Sequence, residues 1–125
     1  MRFNNDRPIF SQIAALLVED LLAGKLAPGS RLPSARELAA SLEVNPNTAA
    51  RALQDLADSG VARMERGMGY FVAEGAMELA RGERRRRFLD EELPRVFKAM
   101  EETGLQPADI IARHAAWKAS KGEVA

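Results

Sequence analysis

Asn45-Pro46-Asn47-Thr48, with Arg51 one helical turn beyond Asn47, brings amide, hydroxyl and guanidinium groups into one short run. Asparagine and arginine can each make paired hydrogen bonds of the kind that fit adenine or guanine edges, while serine and threonine hydroxyls reach phosphates. Ser34-Ala35-Arg36-Glu37 offers a second hydroxyl and a second cation. A third cluster, Arg66-Gly67-Met68-Gly69-Tyr70, sets a cation and a phenol beside two glycines, the residues that permit close backbone approach. These side chains suit recognition of a nucleic-acid duplex. Other chemistries lack their parts. The sequence has no cysteine and one histidine, so no thiolate or His-paired metal site is expected. No phosphate-binding glycine loop or nucleophile elbow is present, and Gly67 and Gly69 lack the strand–helix context of a nucleotide fold. Neither an enzyme activity nor a cofactor is expected.

These clusters need elements to hold them. Phe10, Ile13, Leu17 and Leu21, with Leu16 beside them, recur at helical spacing behind Pro8, and Gln12, Glu19 and Asp20 fall largely outside that stripe. Gly24 ends the helix and Ala27-Pro28-Gly29 supplies a turn. Arg31-Leu32-Pro33 is an extended approach, because a residue before proline avoids the helical region. Ser34 and Glu37 then spell a capping box for a helix reaching about Leu42, which buries Leu38 and Leu42. After Glu43-Val44, Asn45 caps and Pro46 opens a third helix, with Ala49, Ala52, Leu53, Leu56 and Ala57 inside and Gly60 as its stop. Two short helices joined by a tight turn and packed on a first make a helix-turn-helix. Val61–Glu65 and Tyr70–Val72 read as strands about the Arg66–Gly69 turn, and a hairpin in that place is a wing.

From Ala76 the chain turns helical and highly charged. Leu89, Leu93, Val96, Phe97 and Met100 form one stripe, interrupted by Pro94, where a kink or break is expected. Gly104 closes that segment, and Pro107 opens a last helix carrying Ile110, Ile111, His114 and Trp117 before fraying at 120–125. Two helices cannot bury that much apolar surface alone, so Leu89, Leu93, Val96, Phe97, Met100, Ile110, Ile111 and Trp117 are expected to form a homodimer interface. His114 on the apolar face predicts a packed, hydrogen-bonded imidazole, and Met77 and Met100 predict core or interface filler. Arg84-Arg85-Arg86-Arg87 points around every side of a helix, which predicts a solvated face with salt bridges to Glu83, Glu91 and Glu92. The fold class is mainly α with a small β-hairpin. A winged helix-turn-helix over 8–75 precedes an all-α dimerisation segment over 76–119, with flexible termini at 1–7 and 120–125.

Hydrophobic residues at 46% and charged residues at 29% exclude a disordered chain. No apolar signal core or run of roughly 18 apolar residues appears, so a cytoplasmic protein with no membrane partner is expected. Net charge argues nothing for nucleic acid: 18 basic side chains balance 18 acidic ones. Residues 1–75 carry 8 basic and 9 acidic residues, and 76–125 carry 10 and 9. Any DNA interface must come from where charges sit. A winged helix used only as a protein-interaction module is the alternative.

Leu32–Ala39 (L-P-S-A-R-E-L-A), Val44–Leu53 (V-N-P-N-T-A-A-R-A-L), Leu56–Gly60 (L-A-D-S-G) and Arg66–Val72 (R-G-M-G-Y-F-V) together resemble the GntR family of regulators. The N-P-N-T element and short tail resemble its YtrA-like subfamily. The resemblance implies a repressor of transporter operons that binds double-stranded operator DNA as a homodimer. It places Ser34 and Arg36 on phosphate and a base edge, Asn47 and Thr48 in the major groove, and Arg66 and Gly67 at the minor groove. Asn45, Gly69 and Tyr70 complete the expected contact set. The family's commoner pattern has arginines where this sequence has Pro46 and Ala50. The basic contact passes to Arg51, which shares an exposed helix face with Asn47 and Asp55. No residue identifies an effector.

Overall fold

A computed structural model describes residues 3–5 and 7–124 of the chain. The parts of the expected flexible ends that fall on Met1, Arg2, Asp6 and Ala125 lie outside the described residues. The chain divides into two compact units, Met1–Arg84 and Arg85–Ala125.

The first unit holds α1 (Ile9–Leu22), α2 (Ala35–Leu42), α3 (Pro46–Asp58), β1 (Ala62–Glu65), β2 (Gly69–Val72) and, as far as Arg84, α4 (Ala76–Arg87). Its core is built on Ile13 and Leu21 of α1, Leu53 of α3 and Val72 of β2, all fully buried. The capping box forms as the sequence predicts: the Glu37 N–H donates to Ser34 Oγ and the Ser34 N–H to Glu37 Oε1, each at 3.1 Å. Between α2 and α3 the chain reverses at Glu43, whose φ of 56° is left-handed. A side chain there costs about 1 kcal/mol, and the turn is fastened by the Val44 N–H donating to the Ala39 carbonyl at 3.1 Å.

β1 and β2 pair antiparallel, from Ala62 opposite Val72 to Glu65 opposite Gly69. The extended approach becomes a third edge on this hairpin. Arg31 bridges Phe71, and the Leu32 N–H donates to the Tyr70 carbonyl at 2.8 Å. Asn4 and Arg7, before α1, are bonded to that helix. Gln12, which the helical pattern leaves outside the apolar stripe, is buried and donates from Nε2 to the Asn4 and Arg7 carbonyls, both at 2.8 Å.

The first unit extends past the boundary expected at 75/76. Ala76 and Ala80, one helical turn apart on α4, are both 0% exposed in the core, and Met77 packs against it. Two alanines are too small to register as an apolar stripe in a charged helix.

The second unit contains a π-helical turn (Phe88–Glu92), α5 (Leu93–Thr103) and α6 (Pro107–Val124). The disturbance expected at Pro94 is a widened turn, not a break. The Leu93 N–H donates to the Phe88 carbonyl five residues back, while Arg87 and Leu93 keep helical dihedrals. Such a widened turn accommodates a residue that cannot donate to the carbonyl four back. Gly104 ends α5 at φ 76°. α6 continues to Val124.

Candidate nucleic-acid interface

On α3, Ala49, Ala52, Leu53 and Leu56 are buried, which leaves Asn47, Ala50, Arg51 and Gln54 on the exposed side. Asn45 caps the helix, its Oδ1 accepting from the Asn47 N–H at 2.8 Å. The cap uses only the carbonyl end of that amide. Asn47 stands one residue into the helix and is fully on the outer face, whereas Thr48 is half-buried at the edge of it. Arg51 is exposed, and its guanidinium carbon lies 4.0 Å from the centroid of the Phe10 ring on α1. A guanidinium held over a ring keeps its in-plane N–H donors available, so the contact aims the fork without consuming it.

At the start of α2, Ser34 uses its oxygen as the cap. Arg36 is exposed in the first turn. The Glu37 carboxyl is held below the usual carboxylate range, first by the Ser34 backbone N–H and then by its hydroxyl. Burial opposes this slightly, and the charge of Arg31 adds to it.

The two wing glycines have different surroundings. Gly67 takes φ 79° at the open tip, where an added Cβ would meet nothing within 4 Å. The turn around it is closed by the Met68 N–H donating to the Glu65 carbonyl at 2.9 Å. Gly69 takes φ 106°, and a Cβ there would lie 3.4 Å from Arg31 Nε. Arg66 is exposed beside the tip. Tyr70 is half-buried, and its hydroxyl donates to Gln54 Oε1 on α3 at 3.2 Å. Gln54 Nε2 in turn donates to Asp58 Oδ1 at 2.9 Å. On β1, Arg63 pairs with Glu65.

The first unit therefore carries all ten sequence-predicted contact residues, and three links join their elements: Phe10 to Arg51, Gln54 to Tyr70, and Arg31 to the wing turn. Gln54, Arg31 and the second role of Phe10 escaped the sequence reading. Only Gln54 had a signal, since it lies two helical turns beyond Asn47 on one face.

In the second unit, Leu89, Val96, Phe97, Ile110, Ile111 and Trp117 are exposed, and Leu93 and Met100 are half-buried. His114, expected to be packed and hydrogen-bonded, is exposed in the single chain and stacks on Trp117 with centroids 6.1 Å apart. In the arginine run, Arg86 pairs with Asp90 at 3.6 Å, one turn on. Among the described residues, no helix is long and apolar enough to cross a membrane.

Known proteins share this architecture. The sequence pattern of the family described as "Bacterial regulatory proteins, gntR family" matches residues 10–72. The uncharacterized HTH-type transcriptional regulator YhcF of Bacillus subtilis (strain 168) is 36% identical over 110 residues, 88% of this chain and 89% of that protein. The HTH-type transcriptional repressor YtrA of the same organism is 41% identical over 69 residues, 55% of this chain and 53% of that one. A putative GntR-family transcriptional regulator from Bacteroides thetaiotaomicron, solved by crystallography, superposes with a TM-score of 0.74 at 32% identity, over 90% of this chain and 98% of that one. With its winged helix-turn-helix and these relatives, the chain belongs to the GntR family, as a transcriptional regulator with a DNA-binding winged helix.

Proposed function

We propose that this regulator is a cytoplasmic homodimeric repressor that reads a palindromic operator, one half-site per protomer, and that its targets include a transporter operon. The observation that carries the reading is the two-sided character of α3. One side is sealed in the core, and the other presents Asn47 and Arg51 close to the helix start. Asn47 and Arg51 take base edges in the major groove. Ser34, Arg36, Asn45 and Thr48 position the two helix N-termini on phosphates, where backbone amides and partial positive charge assist. Arg66 and Gly67 bring the wing to the minor groove. Asp55 and Asp58 repel phosphate, so contacts concentrate at the start of α3. The relative named a transcriptional repressor supports the repressive sense, and the resemblance to the YtrA-like subfamily supports the transporter target.

The two-fold arrangement is supported by the uncovered apolar side chains of the second unit. One recognition helix reads only a few base pairs, so specificity requires a second reader at fixed spacing. The test is binding to the promoter upstream of the protein's own gene against random DNA. Arg51→Ala should lose about 1–3 kcal/mol on the operator and much less on random DNA. Equal losses on both would make Arg51 a phosphate contact. A wild-type chain that binds neither DNA would leave the winged helix as a protein-interaction module.

A further inference from the structure

Arg31 is a part of the sequence that neither the recognition helix nor the wing motif absorbs. Its backbone is fixed by the bridge to Phe71 and by the neighbouring Leu32, which is buried and bonded to Tyr70. Its side chain is exposed and yet held, because Nε donates to the Met68 carbonyl of the wing turn at 3.1 Å. The guanidinium covers Gly69, where an added Cβ would meet Nε, Nη2 and Cζ at 3.4, 3.5 and 3.9 Å. Gly69 thus leaves room for a guanidinium as well as for a turn. The same charge also acts on Glu37 in the first turn of α2, so Arg31 stands between the start of α2 and the wing.

We propose that Arg31 is itself a DNA contact, a cation held between the start of α2 and the wing turn that takes a backbone phosphate through its Nη donors while Nε fixes the wing. A guanidinium has five N–H donors, and the Met68 carbonyl occupies one. The remaining donors form the fork that matches a phosphodiester. Lying off the recognition helix, Arg31 reads no base; it sets register. This inference rests on the DNA-binding reading above.

The experiment uses the full chain, with Arg31→Met and Arg31→Lys compared to wild type. Fluorescence anisotropy would follow binding to operator and to random DNA from about 50 to 200 mM salt, with the thermal midpoint measured for each protein. Arg31→Met should keep the wild-type midpoint, within a few degrees. It should bind both DNAs about ten-fold more weakly, with a salt slope shallower by about 1. Arg31→Lys should recover the slope but only part of the affinity, since an ammonium keeps the charge and loses the Nε bond. A wild-type slope in Arg31→Met overturns the phosphate contact, whether affinity is unchanged or falls, and a fall would then reflect only the lost wing pin. Wild-type protein that binds neither DNA would overturn the DNA reading and this inference with it.

Discussion

Ending the chain at Arg84 should leave a folded, monomeric DNA-binding unit with operator affinity reduced about 10²–10⁴-fold. Among the described residues, the buried hydrophobic side chains all lie at or before Ala80, so this cut removes none of the core. A cut after Gly75 would strip Ala76 and Ala80 and open the core they cover. What the Arg84 cut does remove is apolar surface. Eight large apolar side chains from Phe88 to Trp117 are each between 37% and 69% exposed. At on the order of 150–200 Å² per side chain, half exposure amounts to roughly 600–800 Å². That approaches the roughly 800 Å² per partner of a standard stable interface. Joining two readers makes the second binding step intramolecular, which is worth about 10²–10⁴ in affinity without a new DNA contact. Sedimentation velocity would give the oligomeric state, and anisotropy would give binding to operator and random DNA. Weak non-specific binding should persist in the truncated chain. Phe97→Glu in the full chain places a charge within the same surface and should reproduce the monomer without truncation. A truncated chain that stays dimeric, or full-length protein that is monomeric at micromolar concentration, would refute the assignment of the tail to dimerisation.

Two further outcomes are expected. Gly67→Val should fold, because its Cβ meets nothing within the protein, at a cost of about 1–2 kcal/mol for positive φ. It should nonetheless lose operator affinity through crowding of the groove; retained affinity in a folded variant, by anisotropy and circular dichroism, would place the wing away from DNA. Glu37→Gln tests the α2 cap. Because folding lowers the Glu37 pKa, its stabilisation is present above the unfolded value and disappears as pH falls through the folded value. Wild type should therefore be the more stable protein at neutral pH, with the difference closing in acid. Thermal midpoints that differ equally at pH 7 and in strong acid would count against it.

The features read correctly from the sequence are those whose cause is local. Ser34 and Glu37 are three residues apart, and Asn45 caps through an amide two residues on, so residue type and spacing suffice. The winged helix follows because helical and alternating periods succeed each other with glycine and proline punctuation between them. What escaped depends on packing between distant segments. Ala76 and Ala80 belong to the core only because α4 lies on it, and the buried Gln12 matters only because the preceding segment folds back to it. His114 differs for another reason: an apolar face predicts packing, and in the single chain this side chain is exposed.

The same division runs through the candidate interface. Types and spacing name the side chains that could touch DNA, but not how they are aimed. Arg51 is aimed by Phe10 from another helix, and the wing is tied to α3 through Tyr70 and Gln54, 16 residues apart. Arg31 reaches the Met68 carbonyl across 37 residues. Each link crosses between elements and restricts the direction of a side chain; those at Arg51 and Arg31 leave the Nη donors available, whereas the one at Tyr70 uses its single hydroxyl proton. In the proposed reading, restricted direction is what lets a neutral chain, without a basic excess, read DNA. With 18 cations against 18 anions, long-range attraction contributes little, and affinity must come from a few charges already held in place.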